Sequence, residues 1–410
     1  MNMLREASEK RIKLITIMAF VSIPLSGFVT DIYLPSFPSM ARELSVSEKD
    51  IQITLTSYLL SYGISQLFVG GILDSIGRYR PKLLALFLLV ISSLLITMTD
   101  SILLICLLRI LQGVAVSVLV VATRAIFVDI YDSERVKHYL SYFTIVWSCG
   151  PILAPFLGGY LEKLFNWHAN FHFLALYAGL IFLFEWFFSG ESLPQKKKLD
   201  LAENISLYKM MLKNRIFMLG IFILGLSYSI VMLFNITGPF IIENTFHFTP
   251  VVIGYCTLIL GFSWMIGGFI GKRRLTLDFK PRILQPILLQ LTLIVALIIT
   301  SNYAESLFIM VPFAFFIHIC SGVLFTSFFT TSMLYFPKNA GTAGGLMGGL
   351  VYVITSISSF IISVSGTVTE QQGLAWRYLI IAFFLLGIIL IMNQAIKKEK
   401  GTVSKGKITL

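Results

Sequence analysis

Twelve apolar runs, each close to the roughly 20 residues that cross a hydrocarbon core of about 30 Å as a helix, leave this chain few ways to fold. They fall at about 13–35, 48–71, 81–99, 101–128, 139–161, 170–189, 216–243, 250–271, 282–300, 304–333, 343–367 and 373–396. Backbone groups in lipid have no water to bond, so runs of this length satisfy themselves as α-helices. With 410 residues, 56% hydrophobic and 13% charged, the chain has too little polar surface for a soluble protein of its size. The expectation is an all-α integral membrane protein, its even number of spans placing both termini on one side.

The formal net charge of +11 suggests nucleic acid only until it is mapped onto the loops. Of 32 Lys and Arg, 26 lie in the two terminal segments and the loops at 71–82, 129–138, 190–215, 272–282 and 334–342. The alternate loops hold four, Arg42, Lys49, Lys163 and Arg377, and Arg109 and Arg124 lie inside spans. Positive residues collect on the cytoplasmic side, which puts both termini and the 190–215 loop there and removes the need for a nucleic-acid partner. The first run follows basic residues but carries Pro24 and Asp31 and lacks a small-residue cleavage pattern, so it is expected to remain as the first helix. Cys106, Cys149, Cys256 and Cys320 all fall within spans and suggest neither a disulfide framework nor a zinc site.

The longest polar stretch, 191–215, divides the chain into a first six-helix bundle at 1–190 and a second at 216–410 with a short basic tail. A weak echo supports the division. Ser65-Gln66-Leu67-Phe68-Val69-Gly70-Gly71 near the end of the second span is mirrored by Ser263-Trp264-Met265-Ile266-Gly267-Gly268 near the end of the eighth, and a short basic loop follows each. The first and seventh spans both end at prolines, Pro35 and Pro239. Two repeated bundles with a site at their interface are a common plan for secondary transporters.

Charges that hydrophobicity cannot explain mark the candidate sites. Arg109 lies about eight residues into an apolar span, where insertion costs roughly 2.5–3.5 kcal/mol, so it should face a cavity or a partner; bonding the carbonyls of a broken helix would also explain it. Gln112 shares its helix face. Asp31, four residues before Pro35, is the proton-carrier candidate, because loss of water favours the neutral form of a carboxyl; capping a helix end is the plainer alternative. Between the second and third spans, Gly70, Asp74, Gly77, Arg78, Arg80 and Lys82 form a short turn at the membrane surface, in which Asp74 could simply cap a helix.

The 70–82 segment resembles the loop 2–3 signature of the major facilitator superfamily, and the first half resembles its Bcr/CflA group of drug:proton antiporters. Asp31-Ile32-Tyr33-Leu34-Pro35 is similar to that group's D-x-Y-L-P, and Arg109-Ile110-Leu111-Gln112-Gly113 to its R-x-x-Q-G, with Arg124 and Asp129 following. Gly150, Pro151, Pro155, Gly158 and Gly159 resemble the Gly-Pro-rich antiporter motif of the fifth helix, and Gly341-Thr342-Ala343-Gly344-Gly345 extends the likeness to the eleventh. The chain departs from the pattern at Ser75 and Tyr79, which thin the charge network of the loop, and at Ile23, where some multidrug antiporters carry a second acid.

The resemblance implies the major facilitator fold, twelve helices in two six-helix bundles, in a bacterial inner membrane. It implies a monomer, surrounded by lipid and without cofactor, that exports small amphipathic molecules, drugs or an endogenous metabolite such as a siderophore, against protons. In that reading Asp31 and Arg109 couple the proton, and Asp74 biases the conformation by meeting the eleventh helix near Gly341 and Gly345. The cavity is expected to draw on Gln112, Tyr33, Tyr58, Tyr62, Arg124, Tyr228, Asn235 and Tyr352. Glu185 and Glu243 rank behind them. A proton-coupled symporter importing a nutrient would use the same fold, and a membrane receptor would have no use for Asp31 and Arg109. His168 and His172 have metal-pair spacing but sit at an outer loop beside Trp167, where interfacial residues are expected. No Gly-x-x-x-x-Gly-Lys-Ser/Thr loop and no nucleophile and base set argues for ATP use or catalysis.

Overall fold

The computed structural model describes residues 4, 7–196, 198, 201–333, 335, 336 and 340–406, excepting the side chains at 133, 137, 140, 141, 143–145, 201, 203, 204, 333, 340, 341 and 398–406. Its helices follow the sequence runs. They are α1 (Glu9–Glu43), α2 (Glu48–Ile76), α3 (Tyr79–Ile96), α4 (Ile102–Ile130), α5 (Ser133–Leu164) and α6 (His168–Phe188) in the first half. The second half holds α7 (Arg215–Thr245), α8 (Pro250–Arg273), α9 (Lys280–Ser301), α10 (Leu307–Met333), α11 (Ala340–Val364) and α12 (Gln371–Lys397), after a linker helix Leu201–Lys213. Eleven of these are long and apolar enough to cross a membrane among the described residues, and α5 completes the order.

Short polar loops start these helices with side-chain caps. Ser47 and Asp50 form a capping box on α2, and Ser101, Asp132 and Asn214 accept from the third backbone N–H of α4, α5 and α7. Each such cap stabilises its helix by about 1 kcal/mol. The first and seventh spans do not stop at their prolines. Pro35 sits at the start of a 3-10 turn, Leu34–Ser36, where its missing N–H costs nothing, and α1 resumes over Phe37–Glu43. Pro239 is followed by a π-helical turn, Ile241–Thr245.

Within the first half α4 packs on α2 and α3, α3 on α6, and the Leu25–Asp31 part of α1 on α5; within the second, α10 packs on α8, α7 and α9, and α7 on α11 and α12. The halves meet along two seams, α2 with α11 and α5 with α8. Small residues permit the first seam: a Cβ on Gly63 would lie 2.8 Å from the Gly349 carbonyl oxygen. Further ties lie at the end remote from the termini. There Arg42 pairs with Glu243 at 2.6 Å, Asn244 donates to Glu48 at 3.2 Å, and Gln52 Nε2 donates to the Ile236 carbonyl at 3.0 Å.

Candidate functional site

The site begins where α1 breaks. The helical segment Leu25–Asp31 ends at Asp31, and Tyr33 takes φ −93° and ψ 0° before the 3-10 turn. The last carbonyls of a helix segment lack partners inside it, and the Val29 oxygen finds one on α4: Arg109 Nη1 donates to it at 3.0 Å. Arg109 is fully buried, so a helix break and a buried cation answer each other.

The rest of the Arg109 environment is built for a flat cation. Its guanidinium carbon lies 4.5 Å from the ring centroids of both Tyr33 and Tyr58, and Nη1 also donates to Gln112 Oε1 at 2.7 Å. Gln112 passes the bond on to Ser93 at 3.0 Å, and Tyr33 and Tyr58 are held by Thr54 and Thr30. A lysine would offer a point charge but not the planar stack. Tyr33, Tyr58 and Gln112, expected to line a cavity, instead enclose Arg109.

Asp31 is the contrasting group. It is 1% exposed and neither carboxylate oxygen has a hydrogen-bond partner. Burying a carboxyl without partners is expensive, so an unpartnered one marks a place where something else binds, a proton or a ligand. It borders a cavity of about 10 Å³, room for about one water. The first half lines this space with Ser26, Gly27, Thr30, Tyr62, Trp147 and Pro151, and the second with Tyr228 and Tyr352. Beyond Asp31 toward the remote end, Tyr33, Leu34, Phe37, Ile236 and Phe240 are all at most 1% exposed, so the cavity is sealed on that side. Arg124, fifteen residues and about 22 Å by helical rise beyond Arg109 on α4, and Asn235, half-buried on α7, do not border the cavity.

Helix α5 seats the broken helix. A Cβ on Gly158 would collide with the Ile32 carbonyl oxygen, and one on Gly150 would lie 2.6 Å from that of Pro24. One turn beyond Gly158, Glu162 accepts from Ser36 Oγ at 2.5 Å, and Asn170 of α6 donates to the same hydroxyl at 2.8 Å. The neighbouring face of α5 meets α8, with Gly159 against Pro250 and the Pro155 carbonyl against Gly254. The Gly-Pro motif therefore joins the Asp31 segment to the other half.

The 70–82 segment forms a separate charge network. Gly77 turns at φ +108°, and a Cβ there would collide with the Glu191 carboxylate. That carboxylate accepts from the backbone N–H of Arg78, Tyr79 and Leu193. Arg78 bridges Asp74 at 2.7 Å and Asp129 at 3.2 Å, while Lys82 and Glu185 make a fully buried pair at 2.6 Å. Asp74 thus pairs locally with the base four residues on. Arg80 is exposed and Gly70 has open space around it. A Cβ on Gly345 would have the Gln66 carbonyl oxygen of α2 as its nearest neighbour, at 3.9 Å. The surroundings of Gly341 lie outside the described residues.

The family model of the Major Facilitator Superfamily matches residues 19–359. The chain belongs to the major facilitator superfamily. It is a membrane transporter of small molecules and not an enzyme. Over 89% of its length and 92% of the relative's, it is 30% identical to the MFS-type transporter YdgK of Bacillus subtilis (strain 168). It is 26% identical to multidrug resistance protein D of Escherichia coli (strain K12), over 92% of this chain and 93% of that one. The bicyclomycin resistance protein homolog of Haemophilus influenzae is also 26% identical, over 83% and 86%. These relatives agree with the Bcr/CflA-like group. Among solved structures, the bacterial homolog of the human lysosomal transporter Spinster, in its inward-facing and occupied conformation, superposes with a TM-score of 0.73 at 13% identity, covering 95% of this chain and 98% of that one; this likeness speaks for the fold.

Within this superfamily member, sequence reasoning found Asp31 and Arg109 because charges stand out in apolar runs. It missed Trp147, which borders the cavity, and Glu191, which caps α3. One more aromatic among many and one more acid in a polar stretch carry no such signal.

Proposed function

We propose that this transporter is a proton-coupled antiporter that exports small amphipathic molecules by alternating access. Both termini lie in the cytoplasm of a bacterial cell, and the protein works as a monomer in the inner membrane. The observation that carries the reading is Asp31: a buried carboxyl with no partner, at a helix break, beside a cavity shared by both halves. In the present conformer Asp31 is shut off from the end remote from the termini. After the bundles rock, it takes a proton from outside as substrate leaves, and it releases that proton to the cytoplasm when the next substrate binds. Arg109 stays in its tyrosine stack between Tyr33 and Tyr58.

One further observation supports export: relatives are named for multidrug and bicyclomycin resistance. The driving force suffices, since one charge crossing 100 mV supplies about 2.3 kcal/mol, a concentration ratio of about fiftyfold. The test is a screen of candidate compounds in everted, acid-loaded vesicles. Substrate-induced proton release from vesicles carrying this chain supports antiport. Proton and substrate moving together in oriented vesicles would make it an importer instead.

A further inference from the structure

At the end of the molecule that holds the termini, the two halves carry corresponding loops that treat their bases in opposite ways. Between α2 and α3, Arg78 is answered by Asp74 and Asp129, and Lys82 by Glu185. Between α8 and α9, Lys272, Arg273, Arg274, Lys280 and Arg282 share the segment 272–282 with one acid, Asp278. Among the described residues none of these five bases forms an ion pair within 4.0 Å. The first loop finds its counter-charges inside the protein, and the second does not.

The second loop is nevertheless held in shape. Arg274 Nη1 donates to the Pro281 carbonyl oxygen at 3.1 Å, and Arg282 Nη1 donates to that of Leu275 at 3.1 Å. These crossed bonds clasp the end of α8 to the start of α9 and hold two guanidinium groups at the neck of the loop. A guanidinium has five N–H donors, so most remain unused; Arg282 Nε is closed off from solvent and has no acceptor. Clustered like charges repel, and a covered donor without an acceptor is costly. An anion at the neck would relieve both.

We infer that this neck is a binding site for the phosphate of an anionic membrane phospholipid, gripped by Arg274 and Arg282 with Lys272, Arg273 and Lys280 around it. A planar guanidinium meets two phosphate oxygens through parallel N–H bonds, which a point charge cannot do. Basic clusters beside the ends of membrane helices attract anionic headgroups in addition. The flanks favour a lipid over a free phosphate. Leu277 is exposed among the bases, and Phe269 of α8 and Leu288 of α9, each about a turn and a half inside the loop, are exposed as well. Side chains of this kind meet acyl chains while the bases meet the headgroup. A zwitterionic lipid carries its own ammonium, which five bases repel. The lipid thus does for the second half what Asp74, Asp129 and Glu185 do for the first, and its removal loosens the α8 and α9 pair.

The test uses the purified, delipidated full-length protein in a neutral detergent, read by native mass spectrometry and thermal melting. The probes are phosphatidylglycerol, phosphatidylcholine with the same chains, and inorganic phosphate. Phosphatidylglycerol is expected to bind at least about tenfold more tightly than phosphatidylcholine and to raise the melting temperature, and inorganic phosphate at equal concentration to do neither. Lys272→Gln, Arg273→Gln and Lys280→Gln together remove side chains that make no hydrogen bond or ion pair among the described residues. They should weaken phosphatidylglycerol about a hundredfold, about fivefold for each base. Arg274→Lys with Arg282→Lys keeps the charge but loses the planar fork, and should weaken it about three- to tenfold. Lys10→Gln, Arg80→Gln and Lys209→Gln, three exposed bases elsewhere, should together change affinity by less than about threefold. If the Arg to Lys pair does not fold, the two glutamine triples carry the comparison. Equal binding of the two lipids, or equal losses in the two triples, overturns the site and leaves only diffuse surface charge. Unchanged affinity in a folded Arg to Lys pair overturns the grip at the neck, and a melting rise reproduced by inorganic phosphate overturns the lipid.

Discussion

The two halves divide the chemistry. Among the described residues, every buried Asp, Glu, Lys or Arg lies in the first half: Asp31, Arg78, Lys82, Arg109, Asp129 and Glu185. The second half buries neutral polar groups in their place. Gln290 donates to Ser321 at 2.7 Å and to the Ile317 carbonyl at 2.9 Å, His318 meets the Tyr378 hydroxyl at 3.1 Å, and Gln371 donates to Ser301 at 2.9 Å. The repeat is visible even here. Gln112 of α4 bonds Ser93 of α3, and Gln290 of α9 bonds Ser321 of α10, the same helix pair with donor and acceptor exchanged. What the first bundle adds is the break in α1 with its acid and base. On the proposed mechanism, rocking the second bundle, which buries no charge among the described residues, against the first would change access without moving the charges.

The sharpest way to break this contrast is at Arg109. Arg109→Ala strips Val29 and Gln112 of a donor and leaves Asp31 without a neighbouring cation, so it should lower melting stability by about 3–5 kcal/mol and reduce transport at least about a hundredfold. Arg109→Lys should restore stability in part but under about a tenth of transport, since the planar stack is lost. Next comes the buried Lys82 and Glu185 pair. Glu185→Ala should destabilise by about 3–5 kcal/mol by stranding Lys82, whereas Glu185→Leu combined with Lys82→Met should fall within about 1 kcal/mol of the parent. Thermal unfolding in detergent reads both.

The second bundle should be milder. His318→Phe removes one neutral hydrogen bond and should cost about 1 kcal/mol, with substrate-induced proton release kept within about twofold. If that variant lost proton release while keeping its melting temperature, the division of labour between bundles would be wrong. The smallest effect is expected at Arg42→Ala: its partner Glu243 is mostly covered, but the Arg42 side chain is 60% exposed, so stability should change by no more than about 1 kcal/mol.

Much of this was legible in the sequence, for identifiable reasons. Span number and order followed from run length, because lipid leaves an apolar run little choice but helix. Asp31 and Arg109 stood out because a charge in such a run must be answered by a partner or a function. The ends of α1 and α7 were not legible, since a proline reads as a stop yet fits the first positions of a 3-10 turn or precedes a π turn. The cavity walls were only partly so. Tyr62, Tyr228 and Tyr352 border it, but Tyr33, Tyr58 and Gln112 serve Arg109, a difference set by the rotation of each helix and not by residue type. Asp74 pairs with Arg78 four residues on, a local bond that its spacing permits.

The most direct test of the account is substrate-induced proton release by Asp31→Asn and Asp31→Glu, measured in everted, acid-loaded vesicles with folding verified for each. The account predicts no release from Asp31→Asn at any pH, with substrate still bound more weakly, and partial release from Asp31→Glu. Undiminished proton-coupled efflux by a folded Asp31→Asn protein would contradict it.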